Sequence, residues 1–361
     1  MNKQHRRVFG TLDGLRGIAA LAVVTRHVPD TTFQDLLPGS TLAVDLFFVL
    51  SGFVLAHSYT ERLRGEMGAI AFMRVRIIRL YPLYILGSAL VAAHFALSAG
   101  FNYRIWLHLI ASAAFGVLFL PAPHRISLDA RVFPLNFPAW SLFFELVINY
   151  AFAILAPRLT NRLLAGVILV GLPMLIATGM YFGGLTPGWL YSNFWGGGGR
   201  VVYSFFAGVA VYRIWQSGSF DWIKLPAPVA LIILVAVFAA EPINGRAIYD
   251  LFAAITVFPI LVLAAARKEP VGFFIRICER LRRASYAIYV MQASVIVWSK
   301  TISQYLFGHE LADFGVTGTI VVLVAVTALA LFLDKYYDSA ARARMSRLFR
   351  RKRLTSSGNI Y

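Results

Sequence analysis

Three ionisable residues near the N-terminus have the types and spacing for acid–base chemistry. Arg16 and His27 lie in the apolar stretch 12–28, and Asp45 lies in the next one, 41–58. The separation of Arg16 and His27 returns them to nearly the same helix face, about 16 Å apart along the axis. A charge near a bilayer centre costs roughly 2.5–3.5 kcal/mol, so such residues usually face a bundle interior or a cavity. We therefore expect one helix face to carry a cation at one depth and a base at another.

The composition indicates a membrane protein. Hydrophobic residues make up 59% of the 361 residues and charged residues only 14%, with a mean hydropathy of +0.69. The net charge of +17 comes from basic clusters between apolar segments, which is typical of cytoplasmic loops and argues against a nucleic-acid partner. The single cysteine, Cys278, excludes an intramolecular disulfide and a cysteine-rich metal site. We expect the lipid bilayer as a partner and no metal.

The apolar segments predict an all-α, polytopic integral membrane helical bundle with about ten transmembrane helices. They lie near residues 12–28, 41–58, 80–98, 105–121, 139–156, 163–182, 201–215, 228–241, 248–266, 285–306 and 315–333. If 105–121 is a re-entrant or outer excursion before the fourth span, both termini and most basic residues are cytoplasmic. If it crosses, the termini lie on opposite sides. We predict a transmembrane domain over 1–338 and a basic cytoplasmic tail over 339–361.

This topology assigns a depth to each candidate residue. His27 and Asp45 fall in the outer half of the membrane, where the carboxylate could orient the imidazole as in a catalytic dyad. Arg16 lies towards the cytoplasm. Arg76 and Arg79, on the inner side, are three residues apart and share a face suited to holding phosphates.

Five motifs along the chain carry a family resemblance. They are LDGLRGIAALAVVTRH (Leu12–His27), VDLFFVLSGFVL (Val44–Leu55), RVRIIRLYPLY (Arg74–Tyr84), NFPAWSLFFE (Asn136–Glu145) and SYAIYVMQASVIVW (Ser285–Trp298). Each is weak alone, but in this order they resemble the membrane acyltransferase-3 family over nearly the whole chain. The resemblance implies a ten-helix enzyme of the bacterial inner membrane. Such an enzyme moves an acyl group, usually acetyl, from cytoplasmic acyl-CoA to a hydroxyl of a cell-surface or lipid-linked glycan.

The resemblance and the chemistry together assign roles to the motif residues. The expected catalytic residues are His27, Glu145 and Asp45. The expected acyl-CoA-binding residues are Arg16, Arg76, Arg79 and Tyr81. The expected acceptor-binding residues are Trp140, Asn136 and Ser51. His27 would act as general base on the acceptor hydroxyl or carry the acyl group itself, and the sequence leaves both mechanisms open.

The sequence also departs from the family pattern. Gln292 stands where many members have histidine, and Phe144 stands where many have an acid before Glu145. No hydrolase-like domain follows the last helix, so we expect transfer to take place within the membrane domain.

Simpler interpretations remain open for several residues. His27 could be an interfacial histidine, Asp45 a partner of Arg26 or a helix cap, and Glu145 half of a structural salt bridge. Arg76 and Arg79 could anchor the protein to lipid headgroups. The aromatic, glycine-rich stretch Trp189–Gly199, expected in an outer loop, could bind glycan or form an interfacial belt.

A membrane transporter or flippase is the alternative function, since it would also need buried charges. It would be expected to show an inverted repeat with broken helices, and we find no repeat in this sequence.

Overall fold

The computed structural model describes residues 7–29, 31–242 and 244–356, which form fourteen α-helices and no strand. Lys3, Arg6 and residues 357–361, which we assigned to cytoplasmic ends, lie outside the described residues. The helices are α1 Gly10–His27, α2 Thr31–Leu36, α3 Ala43–Arg64, α4 Ala69–Ser98, α5 Tyr103–Val117, α6 Ala139–Leu155, α7 Asn161–Phe182, α8 Phe194–Gln216, α9 Ala227–Ala239, α10 Arg246–Phe252, α11 Phe258–Ala266, α12 Phe273–Phe307, α13 Gly315–Leu333 and α14 Ser339–Ser356.

Six helical segments of the described chain are long and apolar enough to cross a membrane, which confirms an all-α membrane protein. They are Pro38–Arg64, Ala69–Ser98, Ala139–Arg158, Asn161–Phe182, Arg246–Ala266 and Leu311–Phe349. Their outward faces are apolar. Leu169, Val170 and Val324, for example, are each more than 60% exposed, which suits contact with lipid chains rather than water.

The first helix lies inside the bundle, where it packs against α12, α3 and α9. Small residues allow this close packing. A Cβ atom on Gly17 would lie 2.4 Å from Leu281 Cβ of α12, and one on Gly14 would lie 2.8 Å from Cys278 Sγ. The ionisable residues of α1 are therefore held against α12, which carries the last of the five motifs.

Glycine also brings the backbones of α3 and α8 together. A Cβ on Gly52 would lie 1.9 Å from Phe205 O, and one on Gly208 would lie 2.1 Å from Val49 O. Each helix thus presents a glycine to the backbone of the other, and this fixes the crossing point.

The glycine run after Trp195 is helical, so our prediction of a glycine-rich outer loop was wrong for this part. Gly196–Gly199 lie in the first turns of α8. A Cβ on Gly197 would lie 2.4 Å from the Phe144 ring, and one on Gly199 would lie 2.8 Å from Met174 O of α7. Close packing, rather than chain flexibility, accounts for these glycines.

Two helices start earlier than their apolar cores indicate. Helix α4 begins at Ala69 rather than near residue 80, and α12 begins at Phe273 rather than near residue 285. Arginine is a good helix former and its aliphatic stem packs well on apolar surface. Arg76 and Arg79 are therefore held on a helix rather than in a flexible loop.

The segment between α4 and α6 turns back against α4. At the C-terminal end of α5, Gly116 O and Val117 O accept hydrogen bonds from the hydroxyls of Tyr84 and Tyr81, at 2.8 and 2.9 Å. The chain then runs to Val132, whose N–H donates to Trp189 O at 3.1 Å. This segment therefore links the middle of α4 to the turn before α8.

Candidate active site

A cavity of about 480 Å³ lies between α1, α3, α4, α6 and α12 and is closed on one side by the start of α14. Along α3 it extends from Ser58 to Val44, a distance of about 21 Å at the helical rise. Its charged lining consists of seven arginines and four carboxylates, namely Arg7, Arg16, Arg76, Arg79, Arg282, Arg283, Arg342, Asp13, Glu145, Asp334 and Asp338. We call the end with Arg7 and Arg282 the basic end.

Arginines converge on Arg79. The positive charges of Arg76, Arg16 and Arg342 and the negative charge of Glu145 all act on it. In the described part of the chain no carboxylate lies within 4 Å of its guanidinium. Arg79 is exposed to the cavity. Like charges gathered in a partly desolvated space repel one another unless an anion joins them. Because Arg76, Arg16 and Arg342 are each paired with a carboxylate, Arg79 carries the uncompensated positive charge of this group and can bind an anion.

The neighbouring arginine is already paired. Arg76 Nη2 lies 2.5 Å from Glu145 Oε1, and Ser51 Oγ donates to the same oxygen at 3.2 Å. Arg76 is 6% and Glu145 18% exposed. The contacts of Glu145 therefore go to Arg76 and Ser51 on the cavity wall, which agrees with the salt-bridge interpretation.

Arg16 also has a carboxylate partner, which sequence reasoning missed. Asp13 Oδ1 lies 3.1 Å from Arg16 Nη1, and Arg282 of α12 approaches the same carboxylate at 3.9 Å. The signal was present, because an acid three residues before an arginine shares its helix face. Asp13 holds Arg16 on the cavity wall near the basic end.

The far end of the cavity is closed by a small polar and aromatic layer. Ser141 and Tyr289 share a hydrogen bond of 2.6 Å between their hydroxyls, and Phe47 meets the Tyr289 ring edge to face at 5.3 Å. All three side chains line the cavity. They form the wall between the cavity and the next turn of α12.

His27 lies beyond this wall, at the C-terminal end of α1. It is exposed, and its Nδ1 lies 2.8 Å from Val23 O. A backbone carbonyl only accepts, so Nδ1 carries the proton and Nε2 keeps a free lone pair. The ring packs on Phe137 at 4.4 Å between centroids, and Gln292, Arg26 and Arg131 are among its polar neighbours. Gln292 is one turn after Tyr289 on α12, so His27 lies roughly one turn, about 5 Å, beyond the closed end of the cavity.

We expected Asp45 to orient His27, but the structure pairs it with a different residue. Both of its carboxylate oxygens pair with Arg200, at 2.7 Å to Nη2 and 3.2 Å to Nε. The two side chains are 0% and 1% exposed. Arg200 lies in α8, directly after the helical glycine run. A buried guanidinium needs a full set of acceptors, and Asp45 supplies two of them.

Two expected acceptor-binding residues are buried inside the protein. Trp140 is 6% exposed, because a Gly188 Cβ would lie 2.1 Å from its ring and Arg200 covers it at 5.4 Å. Asn136 is 1% exposed and donates to Val290 O at 3.2 Å. A sugar ring cannot stack on Trp140 in this arrangement.

The two remaining expected binding residues, Ser51 and Tyr81, line different cavities. Ser51 lines the arginine cavity beside Glu145. Tyr81 instead lines a separate apolar groove of about 360 Å³ between α4, α6 and the end of α5, and its hydroxyl is used by Val117 O. Tyr81 therefore lies apart from the arginine-lined cavity to which we had assigned it.

The tail helix contributes to the cavity, which the sequence did not indicate. Arg342 of α14 pairs with Asp338, and both line the basic end. Asp338 lies in a short π-helical turn, Asp334–Asp338, which joins α13 to α14. The boundary that we predicted at residue 338 thus falls within the lining of the cavity.

A bundle of apolar helices around an arginine-lined cavity, with a histidine one turn beyond its closed end, defines a multi-pass membrane protein that is able to hold an anionic substrate. Comparison with known proteins identifies the family of this membrane protein. Residues 9–333 match the acyltransferase domain of the acyltransferase-3 family. The chain belongs to this family and is an acyltransferase.

Two relatives support this assignment. "Protein 2 in picA locus" from Rhizobium radiobacter is 45% identical over 166 residues, which cover 43% of this chain and 85% of that protein. "Acyltransferase MdmB" from Streptomyces mycarofaciens is 31% identical over 156 residues, which cover 39% of this chain and 38% of that protein. No solved structure matches the chain.

Proposed function

We propose that this protein transfers an acyl group, with acetyl as the expected group, from cytoplasmic acyl-CoA to a hydroxyl of a cell-surface or lipid-linked glycan. The observation that carries the proposal is the guanidinium of Arg79, which lines the cavity beside Arg16, Arg76 and Arg342 and, in the described part of the chain, has no carboxylate within 4 Å. CoA bears a phosphate monoester and a diphosphate, and arginine binds both in a bidentate manner.

The shape of the cavity supports an extended donor. With the phosphates at Arg79, the length of the cavity along α3 would accommodate a chain that runs towards Val44. The thioester would then lie at the layer of Ser141, Phe47 and Tyr289. A small movement of this layer would bring the thioester carbonyl to His27.

At His27 the chemistry is a proton transfer coupled to acyl transfer. The free Nε2 takes the proton of the acceptor hydroxyl while the acceptor oxygen forms a bond to the thioester carbonyl carbon. The carbon–sulfur bond breaks and CoA leaves as a thiolate. General-base catalysis of this kind typically contributes about 10²–10⁴-fold. Attack by Nε2 itself, which gives an acyl-histidine, uses the same lone pair and is distinguished by trapping the labelled protein.

The acceptor would approach from the opposite side of the membrane. His27 is exposed at that end, beside Arg26 and the half-buried Arg131. Basic residues crowd the cavity end with Arg282 and Arg342, so we assign that end and both termini to the cytoplasm. We also propose ten spans in an inner membrane, with α5 and the residues up to Pro138 as a re-entrant excursion.

The test uses inverted membrane vesicles, labelled acetyl-CoA and extracted glycan. We expect His27→Ala to abolish transfer while acetyl-CoA still binds, whereas His94→Ala should leave transfer unchanged, because His94 lies on α4 beside Thr301. Arg79→Ala should raise the KM for acetyl-CoA at least tenfold, roughly the loss of one charge-assisted hydrogen bond.

Two outcomes would count against the proposal. Full activity of His27→Ala would remove this residue from the chemical step. Absence of transfer by the wild-type protein with every acyl-CoA tested, together with glycan movement across the vesicle, would favour the flippase.

A further inference from the structure

Gln292 is the buried polar side chain next to His27. It is 0% exposed and lies in the middle of α12, where the sequence departs from the histidine found in many family members. Its Nε2 donates to Tyr289 O at 2.9 Å. That bond fixes the orientation of the amide, because a carbonyl oxygen accepts only from the NH₂ group.

No group in the described part of the chain meets the distance and angle of a hydrogen bond to the Gln292 amide oxygen, but His27 lies close enough for the two side chains to interact. An unpaired buried carbonyl costs free energy, roughly that of a lost hydrogen bond. A buried acceptor without a donor, next to the proposed catalytic base His27, requires an explanation.

The protonation of the His27 ring explains why the Gln292 oxygen is left without a donor. In the neutral ring the only N–H, at Nδ1, is used by Val23 O. Nε2 then has no hydrogen to offer, so Gln292 Oε1 remains unsatisfied. When Nε2 takes a proton, the ring gains a second N–H, and an acceptor is already in place for it.

We propose that Gln292 is a positioning residue for His27, whose amide oxygen accepts the N–H that Nε2 gains from the acceptor hydroxyl. The inference rests on the proposed function, since it requires His27 to act as a base. The proton comes from the acceptor O–H, resides on Nε2 while the carbon–sulfur bond breaks, and passes to the departing thiolate. Gln292 exchanges no proton itself and acts only through its hydrogen bond to the His27 ring.

The experiment compares three variants of the full-length protein in vesicles. Gln292→Met keeps the length of the side chain and removes the acceptor. Gln292→Glu keeps an acceptor oxygen at the same position. Ser294→Ala is the matched control, because Ser294 is also buried on α12 and its hydroxyl donates to Met291 O of the same helix rather than towards α1.

We expect Gln292→Met to lower kcat about 10-fold or more, as for loss of a hydrogen bond to a charged group, with the KM for acetyl-CoA changed less than about twofold. Gln292→Glu should recover most of this loss, and Ser294→Ala should keep the wild-type kcat.

Either of two results would overturn the role of Gln292. One is a Gln292→Met kcat equal to that of Ser294→Ala. The other is equal loss in the Met and Glu variants, which would show that Gln292 only fills space. If Gln292→Met fails to fold, Gln292→Asn decides, because it keeps the amide but shortens the side chain by one methylene and draws the oxygen away from His27; a wild-type kcat in that variant refutes the proposal. A wild-type protein without acyl transfer would instead refute the proposed function.

Discussion

The Asp45–Arg200 ion pair should hold the bundle together rather than take part in the chemical step. Arg200 donates to both oxygens of Asp45, to Pro187 O at 2.9 Å and to Thr41 O at 3.1 Å. Asp45→Asn leaves the buried guanidinium without a counter-charge. Removing one partner of a buried pair typically costs about 3–5 kcal/mol. We expect a loss of this size in the free energy of unfolding.

The assay is reversible unfolding of the purified protein in mixed micelles with increasing denaturing detergent. Asp129→Asn is the matched control, because Asp129 lies 3.4 Å from Arg131 and both side chains are partly exposed, at 35% and 42%. An exposed pair of this kind contributes at most about 1 kcal/mol. The double variant Asp45→Asn with Arg200→Gln should recover part of the loss, because no unpaired charge is left in the interior.

One combination of results would give Asp45 a role in the reaction. If Asp45→Asn unfolds like Asp129→Asn and still loses acyl transfer, Asp45 acts on the reaction. Its original assignment as a catalytic residue would then be restored.

Three further predictions concern packing and topology. Gly52→Ala should destabilise the protein by about 1–3 kcal/mol, as overpacking does. Gly166→Ala, whose Cβ would meet open space on the exposed face of α7, should not destabilise it in the same unfolding assay. Cys278, the single cysteine and 1% exposed, should resist maleimide in the folded protein and react once it unfolds. In a Cys278→Ser background, Gly100→Cys and His124→Cys should both react with an impermeant maleimide from the outer face of intact cells; reaction from opposite faces would show that α5 crosses the membrane.

Much of the helical architecture can be predicted from the sequence. Each apolar segment of the sequence corresponds to a helix, because about twenty apolar residues in a membrane have few alternatives. The boundaries are less predictable where arginines extend a helix, as at Arg74, or where glycines begin one, as at Gly196. In these places packing against neighbouring helices outweighs local composition.

The partners of the buried charges were the least predictable part of the site. The face shared by Arg16 and His27 follows from helical geometry, and so does the shared lining position of Arg76 and Arg79. The pairing of Asp45 with Arg200 joins residues 155 positions apart, and no local pattern specifies it. The buried setting of Trp140 likewise depends on Gly188, which lies far along the chain.

Helix α12 has a fixed length between its two functional positions. Arg282 lines the basic end of the cavity and Gln292 lies beside His27, and ten residues of uninterrupted helix separate them by about 15 Å. Inserting or deleting one residue here would rotate everything beyond it by about 100° and turn Gln292 away from α1. Between residues 282 and 292, descendants of this gene can therefore change only by substitution, because any change in length would separate the two positions that the helix holds in register.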